Sequence, residues 1–132
     1  MTSSGNDHDE LRNLLQRYAR AADARDVDAL SDLFDPDATI DGSRGELALE
    51  AWLEAMGGTP AFPASMHFIG DPLVEVTGDE ARLDTYAVVH QLGDRSSGQQ
   101  DLTLGIRYLD VAVRDQAGWR IRSRTARTLW MR

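Results

Sequence analysis

Ala81-Arg82-Leu83-Asp84-Thr85-Tyr86-Ala87-Val88-Val89-His90-Gln91-Leu92 carries no helical stripe. Its centre falls into two alternating sets, Tyr86, Val88 and His90 against Thr85, Ala87 and Val89, and the run reads as one long strand. Working outward, Gly78-Asp79 is a turn that separates it from a shorter strand, Leu73 to Thr77. Gly70-Asp71-Pro72 separates that strand from another, opened by Met66-His67-Phe68-Ile69. Downstream, Gly93 to Gln100 is a polar loop and Leu102 to Arg114 is a second long strand. Asp115-Gln116-Ala117-Gly118 turns the chain into a last strand, from Trp119 to about Trp130.

The first half has a different period. Leu11, Leu14, Leu15, Tyr18 and Ala22 recur at three- and four-residue steps, the signature of one apolar helix face. Asp7 or Asp9 can cap its start. Val27, Leu30, Leu33 and Phe34 predict a second, short helix stopped by Pro36. Ala38 to Asp41 reads as a short strand closed by Gly42. Leu49, Trp52, Leu53 and Met56 mark a third helix, ended by Gly57-Gly58, and Thr59 to Ser65 is a proline-bearing loop. Helices first and antiparallel strands after predict an α+β fold, three helices packed in a curved antiparallel sheet.

At 132 residues the chain is expected to form a single domain over residues 9–132, with residues 1–8, His8 among them, as a loose tail. It has no Cys, which removes disulfides, cysteine nucleophiles and thiolate metal sites. All 14 basic residues are Arg, so Schiff-base chemistry on a lysine is excluded. The net charge of −8 argues against a nucleic-acid partner. No apolar run approaches the ~20 residues that span a bilayer, and no targeting pattern opens the chain, so a cytoplasmic protein is expected. Both faces of the Ala81–Leu92 strand are partly apolar. One can receive the helices and the other a second copy of the sheet, so a homodimer is expected.

Few residues offer chemistry. No Gly-x-Ser-x-Gly elbow, phosphate loop or dinucleotide fingerprint occurs. Asp23 falls beside the apolar stripe of the first helix, where a carboxylate can sit at the rim of a pocket. His67 is flanked by apolar neighbours, and a buried neutral histidine needs a partner on at least one ring nitrogen. That partner can be a backbone carbonyl, in a structural role, or Asp23, which would orient a general base. His90 shares a strand face with Tyr86 and is either a second pocket group or an exposed strand end. Tyr18 is a core residue or a donor to a substrate oxygen. Trp52, on the third helix, and Tyr86 are further substrate-contact candidates. Arg120, Arg122 and Arg124 alternate and so are expected on one face, solvated unless one of them enters a pocket. His67, His90 and Asp23 could together hold a metal, but the same residue types serve acid–base work, and no metal or cofactor is expected.

The run Leu14-Leu15-Gln16-Arg17-Tyr18-Ala19-Arg20-Ala21-Ala22-Asp23-Ala24-Arg25-Asp26, then Leu30 to Ala38, then Met66-His67-Phe68-Ile69-Gly70, then Gly118-Trp119-Arg120-Ile121, resembles the SnoaL-like branch of the nuclear-transport-factor-2-like superfamily. The resemblance covers nearly the whole chain from about Leu11. It implies a cone-shaped α+β barrel with a deep pocket. Scytalone dehydratase, bile-acid 7α-dehydratase and hexachlorocyclohexane dehydrochlorinase belong to that branch, and in them an Asp on the first helix orients a His on the strand after the third helix. Asp23 and His67 match those positions. Tyr18 matches a first-helix tyrosine of the bile-acid enzyme, His90 resembles a second histidine of scytalone dehydratase, and Arg124 stands for an arginine late in the sheet. The lysine used by the dehydrochlorinase has no counterpart. The resemblance implies a cofactor-independent dehydratase, isomerase or cyclase acting on a small, apolar, oxygenated molecule. A non-catalytic ligand-binding module of the same fold is the competing expectation.

Overall fold

The computed structural model describes residues 5–132. Helix α1 (Gly5–Ala24) is followed by α2 (Val27–Asp32), strands β1 (Phe34–Gly42) and β2 (Gly45–Ala48), and helix α3 (Leu49–Met56). Strands β3 (Ala64–Ile69), β4 (Leu73–Thr77), β5 (Glu80–Leu92), β6 (Leu102–Asp115) and β7 (Gly118–Met131) complete the chain.

Leu11, Leu14, Leu15, Tyr18, Ala19 and Ala22 are all buried, so the α1 stripe is the helix's core face. The helix ends at Arg25, which takes the left-handed conformation at φ 54°. Asp26 then caps α2 by accepting from the Ala29 backbone N–H at 3.1 Å. At its other end α1 begins at Gly5, so residues 5–8 are helical and the expected loose tail is corrected there; residues 1–4 lie outside the described residues. The physical reason is a partner far away in sequence. Asp7 is buried and accepts from Arg114 Nη1 at 2.6 Å and from Trp119 Nε1 at 3.4 Å, while the Arg114 guanidinium stacks on the Trp119 ring at 4.7 Å.

The described strands form one seven-stranded sheet in the order β2-β1-β7-β6-β5-β3, with β4 also on β5. Strands β3 and β4 lie end to end along the same edge of β5, one against Ala87–Leu92 and the other against Glu80–Asp84. The sheet is mixed, because β1 runs parallel to β7 while the other pairings are antiparallel. It curves around the helices but does not close, so the expected barrel is an open cone. The first half also holds a hairpin, β1–β2, that was expected only as a single strand; Gly45 at φ 79° makes its turn.

Alternation along β5 sets the two faces. Ala81, Leu83, Thr85, Ala87 and Val89 are buried toward the helices, which leaves Tyr86, Val88 and His90 on the outer face. In β3, Ser65, His67 and Ile69 point inward, while Met66 and Phe68 are exposed. Between Val111 and Ala112 the β6–β7 register slips: Ala112 pairs with Ile121 and Val111 with Ser123, so Arg122 has no partner. This bulge shifts the facing of β7 by one residue. Trp119 and Ile121 are inward before it, and Arg124 is inward after it.

Candidate active site

Between the helices and the inner face of the sheet lies a cavity of about 290 Å³. Tyr18, Asp23, Trp52, His67, Tyr108 and Arg124 line it. Each arrives from a different constraint. Tyr18 belongs to the core stripe of α1, and Asp23 directly follows Ala22, the last residue of that stripe, at its edge. Trp52 is held on α3 by its ring contact with Phe34, at 5.3 Å between centroids. His67 and Ser65 come from β3, Tyr108 from the middle of β6, and Arg124 from β7 beyond the bulge.

Asp23 receives three hydrogen bonds from β3. Its Oδ1 accepts from Ser65 Oγ at 2.9 Å and lies 2.6 Å from His67 Nδ1, and its Oδ2 accepts from the His67 backbone N–H at 2.9 Å. A carboxylate only accepts, so Nδ1 carries the ring proton and Nε2 is left as the basic nitrogen. The His67 side chain is 13% exposed and that of Asp23 24%, so the pair is partly shielded but reachable from the cavity. The edge of the Tyr18 ring packs against the imidazole at 5.9 Å and 89°.

Behind this pair sits a second polar group, which is fully interior. Arg124 makes a two-pronged bond to Asp110, Nε to Oδ1 at 2.7 Å and Nη2 to Oδ2 at 3.0 Å. The two side chains are 2% and 0% exposed. The guanidinium carbon lies 4.2 Å from the Tyr18 ring centroid and 4.0 Å from that of Tyr108, in the corner made by the two rings. Burial works against its charge, but Asp110 more than offsets this and holds the Arg124 pKa above its ordinary value. Arg124 Nη1 is sealed and has no hydrogen-bond partner among the described residues.

Burial pushes the Tyr108 hydroxyl well above the ordinary tyrosine value of 10.0, and Tyr18 adds to the shift while Arg124 opposes it. A raised folded-state pKa gives stability that is present below the unfolded value and is lost as pH rises past it. Alkaline unfolding followed by circular dichroism above pH 10 is therefore expected to be shallower in Tyr108→Phe, by up to ~1.4 kcal/mol per pH unit. An unchanged slope would mean that Tyr108 is not kept neutral by the fold.

Of the sequence candidates, Tyr18, Asp23, Trp52, His67 and Arg124 line the cavity. Tyr86 and His90 do not. Tyr86 is 65% exposed on the outer face, and His90 Nδ1 pairs with Thr103 Oγ1 at 3.1 Å, so neither is placed to touch a ligand in the cavity. Arg120 and Arg122 are also separated from Arg124, because the bulge turns only Arg124 inward. Sequence reading passed over Ser65, Tyr108 and Asp110. An Asp two residues after a Tyr, set among Leu109, Val111, Ala112 and Val113, was the available signal for the last two. Among the described residues no cluster of three metal-ligating side chains occurs, and no helix is long and apolar enough to cross a membrane.

The rim of the cavity is built from the loop that carries Thr59, Pro60, Ala61, Phe62 and Pro63. Arg25 Nη2 donates to the carbonyls of Met56 at 2.7 Å and Gly58 at 3.0 Å, anchoring one end of this loop. Gln99 Nε2 donates to the Ala61 carbonyl at 2.9 Å, and its Oε1 accepts from the Asp94 N–H at 2.9 Å. One amide thus joins the two loops.

Residues 4–125 match the SnoaL-like domain family, and the chain belongs to that family. The uncharacterized protein Rv2910c of Mycobacterium tuberculosis is 38% identical over 120 residues, covering 85% of this chain and 78% of its own. A nuclear transport factor 2-like superfamily protein of Salmonella enterica superposes with a TM-score of 0.83 at 20% identity, over 96% of this chain and 93% of that one. The hexachlorocyclohexane dehydrochlorinase LinA-type3 of Novosphingobium barchaimii superposes with a TM-score of 0.84 at 16% identity, over 98% and 93%. Family and fold are those of a SnoaL-like, nuclear-transport-factor-2-like domain.

Proposed function

We propose that this chain is a cofactor-independent acid–base enzyme that removes a proton from carbon beside a carbonyl group, with Asp23 and His67 as its working pair. The observation that carries the reading is the 2.6 Å contact from Asp23 to His67 Nδ1 at the wall of the cavity. Asp23 fixes the tautomer and stabilises the imidazolium, and His67 Nε2 takes the proton. The C–H electron pair becomes the new C=C bond, and the carbonyl electrons move onto oxygen. Expulsion of a β-hydroxyl, which takes the proton back from His67 and leaves as water, completes a dehydration. Return of the proton to another carbon completes an isomerisation, and attack of the enolate on a second carbonyl closes a ring. A name that denotes elimination of HCl, as the Novosphingobium barchaimii neighbour's does, is in keeping with this class. The cavity is at the small end of ligand sites, which favours a compact, apolar, oxygenated substrate.

Exchange of the methyl protons of acetophenone in deuterated water tests this without knowledge of the natural substrate. The parent protein is expected to speed the exchange and His67→Ala to abolish that acceleration. Tight binding with no exchange would return the chain to the binding-module class.

We further infer that the chain pairs with a second copy through its outer sheet face. Met66, Phe68, Tyr86 and Trp130 are between 43 and 69% exposed there, on strands β3, β5 and β7. The Trp130 indole covers Gly105, where a Cβ would come within 2.1 Å of Nε1. Phe68, Val88, Gly105 and Trp130 lie in register across four strands, a continuous apolar row. Sedimentation at micromolar concentration is expected to give a dimer, and Phe68→Glu a monomer; a monomeric parent removes the idea.

A further inference from the structure

We propose that Tyr108 is a hydrogen-bond donor to the substrate's reacting oxygen, and that the site therefore takes neutral, enolisable carbonyl compounds and discriminates against carboxylates. This rests on the proton-abstraction reading above and names its substrate class.

Tyr108 is 3% exposed and lines the cavity beside Tyr18, with ring centroids 6.0 Å apart. A buried tyrosine in a purely structural role sends its hydroxyl to a carbonyl or a carboxylate. Among the described residues the Tyr108 hydroxyl has no such partner; the polar group beside it is Tyr18. Two phenol groups thus stand together on the cavity wall, one of them packed edge-on against the proposed base.

The cation behind them decides which oxygen suits them. Arg124 stacks on both rings, and a positive charge at the ring face strengthens each hydroxyl as a donor. Arg124 itself is closed to a ligand: its side chain is 2% exposed, two rings pack on it, Asp110 takes one edge and Nη1 is sealed. It is a positioning residue, acting through Tyr18 and Tyr108. Its charge is already matched by Asp110, so this end of the cavity is neutral overall. Asp23 is the other charged group next to the base. The remaining charges along the cavity are Arg25, whose guanidinium is engaged by two carbonyls, and Arg44 in an exposed position near the rim. A ligand that enters with a full negative charge meets no unpaired interior cation. A neutral carbonyl meets the paired Tyr18 and Tyr108 hydroxyls, and donation from this pair strengthens as charge builds on its oxygen during enolisation.

The test uses acetophenone, its carboxylate analogue benzoate and its oxygen-free analogue α-methylstyrene. Binding is followed by titration, and the bound ketone by its infrared carbonyl stretch. The parent is expected to bind acetophenone at least tenfold more tightly than benzoate and to shift the stretch to lower frequency. In Tyr108→Phe the affinity for acetophenone is expected to fall about tenfold and part of the frequency shift to disappear, with α-methylstyrene binding changed less than twofold. His67→Ala is expected to keep the affinity and the shift while losing proton exchange, which separates the donor assignment from the base assignment. The proposal is overturned if benzoate binds the parent as well as acetophenone does. It is also overturned if acetophenone fails to bind at millimolar concentration, or if Tyr108→Phe leaves both affinity and carbonyl frequency unchanged. The benzoate comparison needs no variant, so it holds even if Tyr108→Phe folds poorly.

Discussion

Asp23→Asn is expected to cost nearly as much activity as His67→Ala, about 10²–10⁴-fold in the rate of acetophenone exchange, although the imidazole stays in place. The reason is the set of protons aimed at Asp23. Ser65 Oγ and His67 Nδ1 meet Oδ1, and the His67 backbone N–H meets Oδ2. An asparagine has one accepting oxygen and one donating NH₂ group. If its oxygen keeps the backbone N–H, its NH₂ faces the ring, which must then accept at Nδ1 and carry its proton on Nε2. The base has lost its lone pair on the cavity side. Long-range ¹H–¹⁵N correlation spectra would show this directly: the parent with the proton on Nδ1, the Asn variant with it on Nε2. Losses in the double variant should match those of one single variant, since the two residues act as a unit. An Asp23→Asn protein within threefold of the parent would falsify the pair as the source of the base.

The largest effect on stability is expected at Arg124. Arg124→Met leaves the Asp110 carboxylate with 0% side-chain exposure and no counter-charge, a loss of about 3–5 kcal/mol. It also removes a cation packed on two aromatic rings, worth about 2 kcal/mol when desolvated. Adding Asp110→Leu to Arg124→Met should restore most of the loss, because a buried ion pair replaced by apolar groups of similar volume is often neutral or better. Chemical denaturation of the two single variants and the double variant gives the coupling directly. If Arg124→Met alone unfolds at the parent's midpoint, the pair is not an obligate interior unit. In the double variant the Tyr108 and Tyr18 hydroxyls remain but lose the charge behind them, so weaker binding of acetophenone in a well-folded protein would be the mark of positioning rather than of packing.

These expectations rest on features of uneven visibility in the amino-acid sequence. The α1 stripe was legible because Leu11, Leu14, Leu15, Tyr18 and Ala22 answer to one period and one face. Asp23 and His67 could be paired because each sits at a definable point, the last turn of that helix and the strand after the proline-bearing loop. The apolar neighbours of His67 suggested burial for the wrong reason, since Met66 and Phe68 face outward and it is the alternation that turns His67 inward. Tyr86 and His90 were misplaced because β5 is apolar on both faces, and period two sorts residues into sets without saying which set is interior. The smaller set, with Ala81, Thr85 and Ala87, went inside, where the helices and cavity need the room. Arg124 could not be separated from Arg120 and Arg122 by alternation, because one unpaired residue in the β6–β7 ladder resets the phase. The parallel β1–β7 contact and the Asp7–Arg114 bond join segments from opposite ends of the chain, and no local pattern announces them.

The shared amide of Gln99 at the rim has a kinetic side. Its two hydrogen bonds tie the loop at Ala61 to the turn that begins at Asp94, so the rim loop cannot swing away from that turn without breaking one of them. The mobility of this rim is thereby set by a side chain that is not among those lining the cavity. Substitution of Gln99 would loosen the rim and leave the Asp23–His67 contact as it is.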